Sequence, residues 1–131
     1  MLYYTSLITL ASVLFFAYTG VSVARARGKY GIAAPATTGD PNFERTYRVQ
    51  MNTLEWLAIY LPSLWLFGFY VSDPGAGLLG VLWIFGRYLY KRGYEEAPEK
   101  RSRGFFIQGV ATAVLLFGAL VDILARMAIG D

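Results

Sequence analysis

Four long apolar runs, separated by segments that gather nearly all the charge, restrict the fold of this 131-residue chain more than any other feature. The runs fall at about 2–24, 54–71, 75–90 and 104–125. Crossing a bilayer as a helix takes roughly 20 predominantly apolar residues. The second and third runs are short by that measure, so their polar extensions, 43–53 and 91–94, are expected to continue the helices out of the hydrocarbon or into the bundle interior. The expected fold is all-α: an integral membrane four-helix bundle, left-handed, forming one domain over 1–131 with spans at about 2–27, 43–71, 75–96 and 101–127. The first run starts Met-Leu-Tyr-Tyr with no basic segment before it and is too long for a cleaved leader, so it reads as a retained span.

Composition agrees. Apolar residues make up 56% of the chain and charged ones 16%, and the mean hydropathy is +0.42, which is a membrane composition. Cysteine and histidine are both absent. That removes disulfides, thiol catalysis, imidazole bases and the usual zinc sites together, so a sulfur nucleophile has to arrive with a substrate and no metal is expected.

Of the twelve lysines and arginines, only Arg126 lies away from the first and third connections and their flanks. The positive-inside rule makes both connections cytoplasmic, with the second connection and both termini on the opposite side. This flank also accounts for the net charge of +3, and nucleic acid is not expected as a partner. The second connection, Ser72-Asp73-Pro74-Gly75, carries turn residues, and Gly28 through Gly39 reads as an irregular loop. Pro62 is expected to kink the second span, and Asp122 with Arg126, at i and i+4, to form an ordinary interfacial ion pair.

Phe43 through Glu55 is the unusual segment, with two glutamates, two arginines and two amides leading into an apolar helix. Ionisable groups at membrane depth face a cavity or a partner rather than lipid. At about 100° per residue, Glu44, Glu55, Arg48, Asn52, Trp56 and Arg45 fall within an arc of roughly 120° and Gln50 leaves the other side. A buried ion network that fixes helix register competes with a binding site as the reason for this stripe. Tyr90 and Tyr94, one turn apart, are either interfacial belt aromatics or ligand contacts.

The run Phe43-Glu44-Arg45, followed by Tyr47, Arg48, Gln50, Asn52 and Glu55, resembles the signature of the MAPEG family, the membrane-associated proteins in eicosanoid and glutathione metabolism. Pro35-Ala36-Thr37-Thr38-Gly39 before it and Phe85 through Tyr94 after it extend the resemblance over nearly the whole chain. The resemblance implies a homotrimer and glutathione as co-substrate. It also implies glutathione-binding roles for Arg27, Arg48, Gln50, Asn52, Glu55, Tyr90, Tyr94 and Arg101, with Trp56 standing where members carry a tyrosine and serving as a wall. Glutathione has two carboxylates, one ammonium and one thiol. Arg27 and Arg48 suit the carboxylates, Glu55 the amine and Asn52 the peptide.

The catalytic assignment is Arg101, holding the thiolate, with Tyr90 as a hydroxyl donor; Arg103 and Lys100 compete for the arginine's role. The expected activity is transfer of glutathione to a lipophilic electrophile arriving from the bilayer, with peroxidase activity on lipid hydroperoxides beside it. A non-catalytic lipid-binding scaffold of the same fold is the alternative. Gln50 and Arg27 are expected to serve a neighbouring subunit's site. The expected location is a bacterial inner membrane, multi-pass, with the site at the cytoplasmic side.

Overall fold

Short polar caps and helix-starting prolines set where the helices begin. The computed structural model describes residues 1–131. Helix α1 spans Tyr3–Tyr30 and closes on Gly31, whose φ of 69° is the left-handed conformation that glycine adopts without a steric penalty. Helix α2 spans Pro41–Tyr70. The Asp40 carboxylate caps it by accepting from the N–H groups of Asn42 at 2.8 Å and Phe43 at 3.3 Å, and Pro41 takes the first helical position, where no N–H is needed. Helix α3 spans Asp73–Glu96, a 3-10 turn covers Pro98–Arg101, and helix α4 spans Ser102–Ile129. No strand is present.

Two sequence expectations need adjustment. Asp73-Pro74-Gly75 is the first turn of α3 rather than a loop, because the Ser72 hydroxyl accepts from the Gly75 N–H at 2.9 Å and starts the helix early. The second connection is therefore only Val71–Ser72. Helix α1 runs through Gly28 and Lys29 to Tyr30, which shortens the first loop. Helix α2 continues on both sides of Pro62, the position at which its kink is expected.

The shortest helix, α3, has 24 residues and measures roughly 36 Å at 1.5 Å per residue, enough for a hydrocarbon core of about 30 Å. By length and composition α1 and the 98–129 segment are each able to cross a membrane. Large apolar side chains stand exposed on every helix, among them Leu7, Leu14, Phe69, Leu78, Phe106 and Val121. An outer surface of this kind suits lipid.

Inside, Tyr60 of α2 stacks on Trp83 of α3 with ring centroids 3.9 Å apart, and the Tyr60 hydroxyl bonds Ser12 of α1 at 2.9 Å. Lipid tails are as apolar as these side chains, so helix association rests on close packing and polar clasps. The closest packing is between α3 and α4. A Cβ on Gly104 would sit 2.1 Å from the Tyr90 nitrogen, and one on Gly86 would sit 2.7 Å from the Gln108 nitrogen. These two glycines set the start of α4 against the last turns of α3.

Polar clasps tie the two ends of the bundle. At the end holding the second connection, Asp73 accepts from the Thr5 N–H at 2.8 Å, the Thr5 hydroxyl at 2.7 Å and the Tyr4 N–H at 3.1 Å. It caps the start of α1, which has no side-chain cap of its own. The Asp122–Arg126 pair forms at 2.6 Å as expected, and Arg126 also donates to the Tyr70 carbonyl at 3.0 Å. At the opposite end, Arg45 donates to the Glu95 carbonyl at 3.4 Å, joining α2 to α3.

Candidate functional site

The glycine-mediated crossing of α3 and α4 brings a polar stripe of α2 to face Tyr90 and Arg101. Asn52, Tyr90, Arg101, Ser102, Phe105 and Phe106 line one cavity of about 430 Å³. It opens between the first turn of α4 and the middle of α2.

Arg101 is the residue just before α4, at the end of the 3-10 turn. It donates to the Pro98 carbonyl at 2.6 Å and holds its guanidinium 5.4 Å from the Tyr94 ring centroid. The helical segment runs without a break from Pro98 to Ile129, and the positive end of its dipole lies at this place. Tyr90 is buried, packed edge-on against Tyr94 at 5.5 Å and tilted against Phe105 at 6.0 Å. Trp56 meets Phe105 edge-on at 5.4 Å and walls the neighbouring surface. Lys100 is engaged by Glu96, and Arg103 is exposed outside the cavity lining.

Arg48 and Glu55 lie two turns apart on the exposed side of α2 and reach each other at 3.7 Å, with both side chains more than half exposed. Such an exposed pair contributes little to stability, so both groups remain available for other charges. Glu44 accepts from the Gly39 N–H at 3.3 Å, and Arg45 bonds Asn42 as well as the Glu95 carbonyl. These two residues hold the loop and the helix end.

Of the expected contacts, Asn52, Tyr90 and Arg101 line the cavity, while Arg48, Glu55, Trp56 and Tyr94 lie outside its lining, and Gln50 and Arg27 are engaged elsewhere in the chain. Gln50 points toward α1, where its Nε2 would sit 3.3 Å from a Cβ on Gly20. Arg27 stacks on Phe43 at 4.9 Å and donates to the Ala36 carbonyl at 2.7 Å, which pins the first loop. Neither lines the cavity formed by Asn52, Tyr90 and Arg101.

Arg87 is the residue that sequence reasoning undervalued as a flank charge. It is 0% exposed. One Nη donates to the side-chain amide oxygen Oδ1 of Asn52 at 2.9 Å and the other to the Thr53 hydroxyl at 2.7 Å. Its guanidinium carbon stands 4.3 Å from the Tyr90 ring centroid. No carboxylate pairs with it, and its Nε has no hydrogen-bond partner. A buried cation without a counter-ion is costly, and this one sits directly behind two residues of the cavity. The signal was in the sequence: Arg87 is the sole charge inside the 75–90 apolar run. Lys91, also expected as a flank charge, is 4% exposed, paired with Glu95 at 2.9 Å and lying over the Tyr18 ring at 4.6 Å.

Comparison with known proteins gives this geometry a family. The model of the MAPEG family matches residues 1–121. An uncharacterized protein of Synechocystis sp. is 46% identical over 126 residues, covering 96% of this chain and 92% of that protein. Microsomal glutathione S-transferase 2 of Homo sapiens is 42% identical over 104 residues, covering 79% of this chain and 71% of the relative. Leukotriene C4 synthase of Cavia porcellus is 36% identical over 119 residues, covering 91% and 79%. Matched in this way over nearly its whole length, the chain belongs to the MAPEG family of membrane proteins.

Proposed function

We propose that this protein is a membrane-bound glutathione transferase that conjugates the glutathione thiolate to lipophilic electrophiles and also reduces lipid hydroperoxides. The observation that carries the reading is the cavity that joins Arg101 and Tyr90 to Asn52, in a chain with neither cysteine nor histidine. The kinship with proteins named glutathione S-transferase and leukotriene C4 synthase supports the same substrate.

Arg48 and Glu55 bind opposite ends of glutathione, exchanging their mutual contact for the ligand's carboxylate and ammonium. Asn52, oriented by Arg87, keeps its amide N–H groups free for the ligand's peptide. Tyr94 and Trp56 frame the site. Arg101 faces the sulfur. A free thiol has a pKa of about 8.5, and a fixed cation beside it lowers this by about two units, ~2.7 kcal/mol of differential stabilisation. The proton leaves to solvent, the Tyr90 hydroxyl donates to the sulfur, and the thiolate attacks an electrophilic carbon as the leaving group departs with its electron pair.

Gln50 and Arg27 complete the site of an adjacent subunit in a homotrimer; in their own chain Gln50 turns toward Gly20 of α1, away from Arg48, Asn52 and Glu55, and Arg27 lies on Phe43 and the Ala36 carbonyl. Trimers mixed from Arg27→Ala/Gln50→Ala chains and Arg48→Ala chains then regain part of the wild-type activity; no recovery above the parent variants excludes shared sites. The chain forms one domain that crosses a bacterial inner membrane four times, with the site at the cytoplasmic side, following the clustering of cations in the first and third connections.

Calorimetric titration of the detergent-solubilised protein with glutathione, followed by turnover of an aromatic halide, separates this reading from a lipid-binding scaffold, which would give neither signal. The ultraviolet difference spectrum of bound thiolate against pH then assigns the arginine. Arg101→Ala is expected to bind glutathione with its thiol pKa returned toward 8.5 and turnover reduced about a hundredfold, following the ~2.7 kcal/mol above. A low thiol pKa and normal turnover in Arg101→Ala, with both lost in Arg103→Ala, would transfer the role to Arg103.

A further inference from the structure

A second polar cleft lies on the other side of the same end of the bundle, between α1, the first turns of α2 and the last turns of α3. It encloses about 340 Å³ and is lined by Tyr18, Ser22, Arg25, Lys29, Lys91 and Glu95, with Asn42 and Thr46 along the α2 wall. It shares no residue with the cavity around Arg101. We propose that this cleft binds the phosphate headgroup of an anionic phospholipid.

Its charge is unbalanced. Arg25, Lys29 and Lys91 face it against the single carboxylate of Glu95, a net of +2 among the lining residues. Glu95 is already engaged with Lys91 at 2.9 Å, and neither Arg25 nor Lys29 has an acidic partner anywhere in the chain. Arg25 and Lys29 also stand one turn apart on α1, a spacing at which like charges repel. A bound phosphate between them would relieve that repulsion and accept from both.

The Asn42 amide N–H groups add a neutral donor suited to phosphate oxygens, and the Ser22 and Thr46 hydroxyls, which donate to the Tyr18 and Asn42 carbonyls at 3.1 and 3.2 Å, can rotate toward the ligand. The volume lies at the lower end of the range typical of small-ligand sites, adequate for a headgroup without its chains.

Position favours a lipid over a soluble phosphate. The cleft runs from Tyr30, at the end of α1, along the helix to Tyr18, more than three turns away. Beyond Tyr18, α1 exposes Leu14, Leu10 and Leu7, each more than 60% accessible. One helix face thus passes from cations through Tyr18 to bare aliphatic surface. That sequence matches the headgroup and acyl chains of a phospholipid lying along α1, with the cations at the end of the span and Tyr18 inside the apolar run where the chains lie. Lys91 snorkels into the cleft from α3, its stem buried and its ammonium over the Tyr18 ring.

Native mass spectrometry of the solubilised full-length protein tests the proposal, using phosphatidylglycerol, phosphatidylcholine and inorganic phosphate as separate probes. The wild type is expected to retain one phosphatidylglycerol per chain in preference to phosphatidylcholine. At about 1 kcal/mol for each surface cation, the Arg25→Gln/Lys29→Gln variant should lose about thirtyfold in that preference. Arg25→Lys should keep most of it. Arg92→Gln, which removes a cation outside the cleft, should match the wild type and separates specific recognition from bulk charge.

Equal retention of the two lipids by the wild type overturns the proposal, as does a preference that survives in the double variant. Inorganic phosphate binding as tightly as phosphatidylglycerol assigns the cleft to a soluble phosphate ligand and overturns the lipid reading. Glutathione binding measured on the same variants is expected to be unchanged, because none of the substituted residues is among those assigned to glutathione.

Discussion

The two ends of the bundle handle charge in opposite ways. At the end holding the second connection, every charged side chain is matched: Asp73 accepts three hydrogen bonds from the start of α1, and Arg126 is shared among Asp122, Asp131 and the Tyr70 carbonyl. At the opposite end cations outnumber their partners. Arg87 is buried without a carboxylate, Arg101 has only a backbone oxygen and an aromatic face, and Arg25 and Lys29 have no acid at all. A charge with a full set of partners holds helices together. A charge left without them in a stable fold is available to a ligand, and both cavities discussed above lie at the end where such charges collect.

The largest effect expected from this contrast is on ligand binding. Arg48→Ala and Glu55→Ala should each weaken glutathione binding by about 2–5 kcal/mol, the loss of a charged partner in a partly buried site, with little change in thermal stability. Titration calorimetry checks the first part and a melting curve the second. Unchanged affinity in both variants, with the assembly intact, would make the stripe on α2 structural.

Next come two substitutions that should act in opposite senses. Arg87→Met removes a buried charge that has no counter-ion, and with it the desolvation cost that such a charge carries in the fold. It is expected to leave the melting temperature level or higher while weakening glutathione binding about tenfold, since one charge-assisted hydrogen bond is worth about 1.5 kcal/mol or more. Asp73→Ala, at the matched end, should lower the melting temperature and leave glutathione affinity untouched. If Arg87→Met destabilises the protein as Asp73→Ala does, the distinction between the two ends fails.

The smallest effect should come from a matched pair placed at the charged end. Glu96 and Lys100 are exposed and joined at 2.5 Å. The Lys100 ammonium holds the Glu96 carboxyl below its usual range, and Glu96 in turn raises Lys100. The pair therefore contributes above the unfolded carboxyl pKa, about 4.3, and below the unfolded lysine pKa, about 10.4. Its contribution is lost as pH falls through the lowered value of Glu96 or rises through the raised value of Lys100. Solvent and salt screen such a pair. Lys100→Ala should leave melting temperature and turnover at pH 7 within error, and a clear loss of turnover would make Lys100 part of the site.

Much of this was legible in the chain because its signals are local. The four apolar runs and their polar extensions gave four helices whose ends fall within a few residues of expectation. The polar stripe of α2 separated Arg48, Asn52 and Glu55 on one side from Gln50 on the other, as the folded chain has them. The Asp122–Arg126 pair followed from spacing alone. The early start of α3 was missed because the capping of Ser72 competes with a turn built from the same residues. Arg87 and Lys91 were read as flank charges because their depth depends on which helices cover them.

The sequence by itself determined the all-α class, the membrane composition, the charged end of the bundle and the family, since these rest on hydropathy, helical period and ordered motifs. Only the tertiary structure decided that Arg87 is buried behind Asn52 and Tyr90, that Asp73 caps the start of α1, and that Arg25, Lys29 and Lys91 meet in one cleft. The reason is physical. The contacts Arg87–Asn52, Asp73–Thr5 and Lys91–Tyr18 join residues 35, 68 and 73 positions apart. The first exists because Tyr60 and Trp83 stack α2 on α3, and the other two because Gly77 and Gly80, where a Cβ would press on Tyr4 and Ile8, let α1 approach α3 closely. No local pattern carries the sum of those packing choices.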